Sequence, residues 1–202
     1  MILTPSPTTV RGFLKIYDPA SGEVFVEKDN AIHYENMSIA MANSLTNNGN
    51  GWIYSMAFGN GGSAVDPTGV ITYLPPNTNG QNASLYNQTY FKVVNQYSAA
   101  NQDPTNNYLT VLHTSGNVYT DIVTTCLLDY GEPAGQQAFD NSTNFNGEYV
   151  FDELGLKSWS GSADNLLLIT HVIFHPVQKS LNRQIQIDYT LRIQTLTNLS
   201  AA

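Results

Sequence analysis

The chain has 202 residues, only 12% of them charged, and sixteen Asp and Glu against eight Lys and Arg give a net charge of −8. The length suits one domain that buries its core without disulfides or metal ions. The negative charge argues against nucleic acid and anionic lipid as partners, and no apolar run is long enough to span a bilayer.

The N-terminal part of the chain predicts an arm, a hairpin, a helix and a strand. Residues 1–9 form the extended arm, because Pro5 and Pro7 keep it out of regular structure. A turn with Pro19 and Gly22 joins the first two strands into a hairpin. Apolar residues at helical spacing and then in alternation indicate the elements that follow. The predicted elements are strands at 10–17 and 23–28, a helix within 32–45, and a strand at 52–58.

The middle of the chain alternates strand-like runs with two long loops. Pro, Gly, Asn and Gln are too frequent at residues 75–88 and 131–146 for these to be element interiors. The β-branched run at 118–129 is the strongest strand signal here. The predicted strands are residues 70–74, 91–97, 108–113, 118–129 and 148–156.

The clearest structural signal lies between Asn165 and Leu196. Residues 184–194 alternate between apolar and polar side chains, which predicts a strand with one buried face, and residues 166–174 are apolar on both faces, as in an interior strand. We expect these two runs to pair antiparallel around a turn through Pro176, Ser180 and Asn182.

The predicted elements together indicate a mainly β fold. Nine or so short strands with one short helix fit an antiparallel β-sandwich or jelly roll better than a helical or α/β fold. The predicted organisation is the arm at 1–9, a single domain at 10–196 with long loops, and a C-terminal tail at 197–202.

No catalytic, cofactor-binding or metal-binding motif occurs in a supporting context. His171 and His175 are four residues apart on a predicted strand, so about 13 Å separates them and they cannot chelate one ion. The glycines of residues 59–64 are followed by another turn instead of a helix, which indicates a tight bend and not a dinucleotide site. Cys126 is expected to be a buried apolar residue. We therefore predict a protein without enzymatic activity or cofactors.

Acidic residues leave one enzymatic alternative open. Asp152 and Glu153 are adjacent, and adjacent side chains on an extended chain point in opposite directions, so they are poor partners for each other. Asp129 with Glu132, or two residues distant in sequence, could still form the carboxylate pair of a glycosidase. A glycan-cleaving enzyme is thus the weakest of the functional alternatives.

Trp159 lies among small polar residues typical of a loop. An exposed tryptophan can stack on a sugar ring or anchor a protein interface. A tryptophan folded back over the edge of the core fits the same sequence. A carbohydrate-binding β-sandwich module, such as a fibre or adhesion domain, is therefore the main alternative function.

The weakly charged surface favours a protein that occurs in many copies. Asn, Gln, Ser and Thr replace the missing charged residues, so neighbouring copies would repel one another little, and few lysines guard the strand edges. A lone secreted or surface β-domain fits this composition as well. Residues 1–7 have no basic region followed by an apolar core, so we expect no export signal.

The first sixty residues contain an ordered series of features. A strand, a turn with glycine, a second strand and an asparagine lead into a helix, and the next strand ends in Phe-Gly-x-Gly. These features are residues 13–17, Gly22, residues 24–26, Asn30, residues 37–45, and residues 53–58 followed by Gly59, Asn60, Gly61 and Gly62. This order, which covers about a third of the chain, resembles small virion structural proteins of tailed bacteriophages. The resemblance implies the accessory class that decorates capsids or builds the neck and tail, and it implies no catalytic residues.

The leading prediction is a non-enzymatic structural protein of a tailed-phage virion, assembled in the host cytoplasm. We expect it to bind neighbouring capsid, neck or tail subunits and copies of itself through the arm, the two long loops and strand edges, with many repeated contacts adding through avidity. The predicted interface residues are Pro5, Pro7, Pro75, Pro76, Tyr86, Phe139, Phe145 and Trp159.

Overall fold

The computed structural model describes residues 8–134 and 150–195, which contain twelve β-strands and one α-helix. The strands are β1 (Thr8–Tyr17), β2 (Val24–Ile32), β3 (Ile53–Gly59), β4 (Ser63–Val65), β5 (Ile71–Tyr73), β6 (Gln88–Val93), β7 (Tyr108–Leu112), β8 (Tyr119–Leu128), β9 (Val150–Ser162), β10 (Asn165–Leu168), β11 (Thr170–Gln178) and β12 (Ile185–Thr195). The helix α1 (Tyr34–Leu45) lies between β2 and β3. Strand β1 therefore includes residues 8 and 9, which were predicted to belong to the arm. The predicted tail at 197–202 lies outside the described residues.

Ten of the strands form one antiparallel sheet in the order β6-β3-β9-β11-β2-β1-β12-β8-β7, with β10 also pairing with β9. The sheet curls, so that Leu14 and Ile187 from one half pack in the same apolar core as Phe58 and Leu154 from the other half. Strands β4 and β5 form a separate small sheet. The predicted mainly β, antiparallel, sandwich-like fold with one helix is thus confirmed.

Strand β12 shows the alternation that its sequence predicts. Ile185, Ile187, Tyr189 and Leu191 are buried, and the residues between them are half-buried. The hairpin of β1 and β2 is also present, with pairs from Gly12 opposite Asn30 to Tyr17 opposite Val24. These local patterns were sufficient because each strand has one face towards the core.

The expected pairing of residues 166–174 with residues 184–194 is wrong. Strand β11 pairs with β9 and β2, whereas β12 pairs with β1 and β8, so β2 and β1 lie between them. The connection at 179–184 is long enough for this, because three strand spacings are only about 14 Å and six residues can span about 20 Å. The predicted turn also begins later, since Pro176 lies within β11 at a register shift between Ile173 and Val177.

Helix α1 begins at Tyr34, two residues after the start of the predicted segment at residues 32–45. Ile32 is still part of β2, where it lies opposite Thr170. His33 caps the helix, because its side chain accepts a hydrogen bond from the Asn36 backbone N–H at 3.2 Å. None of the helical residues in the described ranges forms a segment long and apolar enough to cross a membrane.

The two edge strands of the sheet, β6 and β7, are joined by side chains. Gln96, just after β6, donates from Nε2 to the Leu109 carbonyl and accepts from the Leu109 N–H, both at 2.9 Å. Lys92 of β6 donates to the Leu127 carbonyl of β8 at 2.7 Å and contacts Glu132. The curled sheet is therefore closed by polar side chains where backbone pairing stops.

Candidate functional site

The predicted interface residues do not form one surface. Pro75, Pro76 and Tyr86 are exposed on the segment that connects β5 to β6. Trp159 lies on β9, six residues from Glu153, which corresponds to about 20 Å along a strand. The remaining predicted residues, Pro5, Pro7, Phe139 and Phe145, lie outside the described residues, as do residues 135–146 of the second loop.

Residues 63–87, which we call the loop platform, comprise the β4–β5 hairpin and the segment leading to β6. Several large apolar side chains of the loop platform are exposed, namely Val65, Val70, Tyr73, Leu74 and Tyr86. Tyr86 is held in place by a hydrogen bond from its hydroxyl to the Pro75 carbonyl at 2.7 Å. A group of exposed apolar side chains of this kind is typical of protein interaction sites.

The backbone of the loop platform is anchored by Glu153 on β9. The fully buried carboxylate accepts hydrogen bonds from the backbone N–H groups of Asn87 (2.7 Å), Tyr86 (2.9 Å) and Gly61 (3.1 Å). Burial by itself raises the pKa of Glu153, but the hydrogen bonds from His171 and from these amides outweigh it and leave the pKa below its ordinary value. Glu153 is therefore a structural carboxylate that is held in its charged form.

His171 on β11 extends this network to Asn77, in the middle of the loop platform. Its Nδ1 accepts from the Asn77 N–H at 2.8 Å, so the ring proton is on Nε2, which donates to Glu153 at 2.9 Å. The Tyr86 ring packs on the His171 ring with a centroid distance of 5.6 Å. One buried pair of side chains thus fixes the backbone at residues 61, 77, 86 and 87.

Asp152 anchors the start of β4. Its carboxylate accepts from the Gly62 N–H at 2.9 Å and from the N–H of Ser63 at 2.8 Å, and also from the Ser63 hydroxyl. Burial raises the pKa of Asp152, and the bonds from Ser63 and Gly62 offset only part of this rise. Asp152 and Glu153 contact different backbone groups and do not form a catalytic pair.

The glycines at the end of β3 allow the backbone to approach Glu153. A Cβ atom on Gly59 would contact Glu153 Oε1 and would lie 2.5 Å from the Asn87 carbonyl, and one on Gly61 would lie 2.7 Å from the Asn87 nitrogen. Both positions therefore require glycine. The segment is a bend between β3 and β4, as its sequence predicts.

The buried cluster does not resemble an active site. Glu153 and His171 have no exposed side-chain surface, so a substrate cannot reach them. His175 is exposed, and its Nδ1 lies at hydrogen-bond distance, 3.1 Å, from the Tyr73 hydroxyl. In residues 8–134 and 150–195, no group of three or more His, Cys, Asp or Glu side chains is arranged to hold a metal ion.

Sequence reasoning did not find the Glu153–His171 pair. Glu153 lies opposite Ile173 in the β9–β11 ladder, and His171 is therefore its diagonal neighbour on the same face. The available signal was two adjacent acidic residues in one strand and two histidines in another, each among apolar neighbours. Without the pairing register, that signal does not connect the two residues.

Trp159 contributes to an aromatic pocket, and the expectation that it lies in a loop is wrong because β9 continues to Ser162. We use the name aromatic pocket for the space of about 410 Å³ lined by Trp52, Tyr54, Asn95, Tyr97, Ser98 and Trp159. The indole rings of Trp52 and Trp159 are nearly parallel, with centroids 6.1 Å apart, and Tyr54 packs against Trp159 at 4.8 Å. Tyr97 at the rim is 87% exposed.

An apolar groove of about 730 Å³ lies next to the aromatic pocket, between α1 and strands β7, β8 and β12. Trp52 and Tyr97 belong to both, and Leu45 at the end of α1 is 85% exposed. The remaining apolar lining includes Met37, Met41, Leu109, Ile122 and Ile193.

Comparison of the chain with protein-family models, with curated proteins and with solved structures finds no match in any of the three.

Proposed function

We propose that this protein is a non-enzymatic structural component of a tailed-phage virion. It binds neighbouring protein subunits in many copies, as a capsid decoration protein or as a neck or tail component. The order of features in the first sixty residues, which resembles that class, supports the proposal.

The observation that carries the proposal is the loop platform, because its exposed apolar side chains sit on a backbone fixed from within. Glu153 and His171 accept hydrogen bonds from four backbone N–H groups in or next to the loop platform, at residues 61, 77, 86 and 87. A loop that is already ordered loses little conformational entropy on binding, so more of the contact energy appears as affinity. A rigid, apolar, weakly charged loop suits repeated contact with other protein subunits.

The acidic residues give a glycan-cleaving activity little support. Asp152 and Glu153 are buried and occupied by backbone amides, and neither faces an open cleft. Asp129 and Glu132 belong to one turn, in which Glu132 Oε2 accepts from the Asp129 N–H at 3.0 Å.

Incorporation into particles tests the proposal. Val70→Asp places a charge on the loop platform without touching the core, since Val70 is 56% exposed. We expect this variant to fold normally and to be incorporated at least tenfold less than the wild-type protein, because a desolvated charge in an interface costs well over 1.4 kcal/mol. Quantitative mass spectrometry of purified virions measures the copy number.

Val118→Asp is the matched control, because Val118 is 46% exposed and lies outside the loop platform. It should be incorporated at the wild-type level. Finding no wild-type protein in purified virions contradicts the proposed function. Equal incorporation of Val70→Asp and Val118→Asp contradicts the role of the loop platform.

A further inference from the structure

We propose that the aromatic pocket is a binding site for neutral glycans. This site is independent of the proposed structural role, because the loop platform lies at the opposite end of β9. The inference rests on the geometry of the two tryptophans, on the hydrogen-bond donors of Trp159 and Tyr54, and on the absence of charge in the pocket lining.

The aromatic rings form a stepped platform. The planes of Trp52 and Trp159 differ by only 10°, and Tyr54 is tilted by 53° against Trp159. Trp52 is 40% exposed and Trp159 is half-buried, so ring surface remains open to solvent. Such a surface accommodates the apolar C–H face of a sugar ring, and a space of about 410 Å³ is within the size range of small-molecule sites.

The pocket is held rigid by hydrogen bonds of the backbone and of the Asn95 side chain. The Trp159 N–H donates to the Trp52 carbonyl at 2.9 Å, and the Trp159 carbonyl accepts from Gly51 at 2.9 Å. The side chain of Asn95 adds two more bonds, because its Nδ2 donates to the Ile53 carbonyl at 2.9 Å and its Oδ1 accepts from the Tyr97 N–H at 3.0 Å. The two indoles and the Tyr97 rim are therefore positioned before any ligand arrives, which lowers the entropic cost of binding.

Polar groups of the aromatic rings point to a ligand rich in hydroxyls. Within the described part of the chain, the indole N–H of Trp159 and the hydroxyl of Tyr54 have no hydrogen-bond partner, and both residues line the pocket. These atoms are available to donate to sugar hydroxyls at the edge of a stacked ring. A purely apolar peptide side chain would leave them unpaired.

The charge of the pocket selects the class of glycan. None of its six lining residues is an Asp, Glu, His, Lys or Arg, so the lining contains no acidic or basic side chain. Acidic sugars need a cationic partner when they lose their hydration, and the chain as a whole carries a charge of −8. The ligand is therefore a neutral hexose-based or N-acetylhexosamine-based oligosaccharide.

Titration with defined oligosaccharides tests the inference. The probes are maltohexaose, cellohexaose, laminarihexaose, mannohexaose and chitohexaose, with an oligogalacturonate as the acidic comparison, and the readouts are calorimetry and tryptophan fluorescence. We expect at least one neutral probe to bind with a Kd below about 10 mM. Trp52→Ala and Tyr97→Ala should each weaken that binding by about tenfold, because each removes one aromatic contact.

Phe91→Ala is the control variant, because Phe91 is an exposed aromatic residue on β6 that does not line the pocket. It should bind like the wild-type protein, and so should Val70→Asp, which separates this inference from the proposed function. Failure of every neutral probe to bind overturns the inference. Binding that survives both pocket substitutions, or binding of the acidic probe alone, also overturns it.

Discussion

The carboxylate of Glu153 is buried, and no arginine or lysine of residues 8–134 and 150–195 forms an ion pair with it. Its negative charge is stabilised by hydrogen bonds from His171 and from three backbone N–H groups. An isolated buried charge costs several kcal/mol, so the carboxylate is tolerated only while these donors are present. The loop platform and Glu153 therefore stabilise each other.

Glu153→Gln should lower the free energy of unfolding by about 3 kcal/mol. An amide of the same shape accepts through one oxygen only, and its NH₂ group faces donors that are then left unsatisfied. Chemical denaturation measures the change. Glu27→Gln, on the exposed side of β2, is the control, and equal stability of the two variants would falsify the anchoring role of Glu153.

The same substitution has a predictable pH dependence. The pKa of Glu153 is lower in the folded protein than its ordinary value of 4.5, so its stabilising contribution is present above that value and is lost as the pH falls through the folded pKa. The difference in melting temperature between wild-type protein and Glu153→Gln should therefore shrink on acidification. Asp152 has a raised pKa and the opposite pH dependence, but it is present in both proteins and cancels in the comparison.

Lys179 is a buried basic side chain, and among the described residues its one hydrogen-bond acceptor is the Ser180 carbonyl, at 2.9 Å. Burial lowers its pKa to about 8, against the opposing influence of Asp129 and Glu132. Lys179→Met should raise the free energy of unfolding by about 1 kcal/mol at pH 7, because it removes a desolvated ammonium group. Thermal melts as a function of pH measure this gain.

The gain from Lys179→Met should decrease as the pH rises from about 8 to 10.5. In that interval the unfolded lysine is still protonated while the folded one is neutral, so the wild-type protein itself becomes more stable with rising pH. Lys15→Met, at a half-buried lysine of β1, measures the effect of removing one positive charge from the chain. A gain for Lys179→Met that does not vary with pH contradicts this account.

At the level of elements, sequence periodicity predicted which segments are strands but not which strands are neighbours. Alternation in β12 and the double-sided apolarity of β11 are local properties, and both are present. The partners of these strands depend on contacts between residues far apart in sequence, such as Thr8 opposite Thr195. Proximity along the chain favoured pairing β11 with β12, and the extended ladders with β1 and β8 stabilise a different order.

The candidate site was likewise predictable from the sequence only in part. The exposure of Pro75, Pro76 and Tyr86 follows from a loop composition rich in Pro, Gly and Asn, and was predicted. The anchoring of that loop by Glu153 and His171 depends on the β9–β11 register, which no local pattern determines. Trp159 was misplaced because the small polar residues around it suit a loop, although pairing with β3 and β10 makes them a strand.

Gln96 determines whether strand β7 is available for pairing with another molecule. Its amide satisfies both outward backbone groups of Leu109, as a neighbouring strand would. Gln96→Ala should lower the free energy of unfolding by about 1–2 kcal/mol and shift the protein towards larger species, because β7 is apolar and carries no charged residue. Light scattering over a concentration series measures the second effect.

Gln102→Ala removes an exposed glutamine from the following loop and serves as the control. The prediction is contradicted when Gln96→Ala and Gln102→Ala have the same stability and the same size distribution.

At the level of the whole molecule, β1 connects the two halves of the curled sheet. It pairs with β2 on one side and along ten residues with β12 on the other. Removing residues 1–7 should leave cooperative unfolding intact, whereas removing residues 1–13 should abolish it. The second deletion removes the first six residues of β1, including Val10 of the apolar core. Circular dichroism melts distinguish the two truncations.

A loss of cooperative unfolding in the shorter truncation contradicts the boundary of the folded domain at Thr8. Retention of cooperative unfolding in the longer one contradicts the connecting role of β1.

Strand β9 has a mechanical consequence. Its thirteen residues are bonded to β3 on one side and to β10 and β11 on the other, so it cannot bend independently of its neighbours. Glu153 supports the loop platform and Trp159 lines the aromatic pocket, about 20 Å away. If a neighbouring subunit binds the loop platform and a glycan binds the aromatic pocket, as we propose, β9 holds the two sites at a fixed distance. Copies arrayed on a lattice would then present their aromatic pockets at the same height and angle.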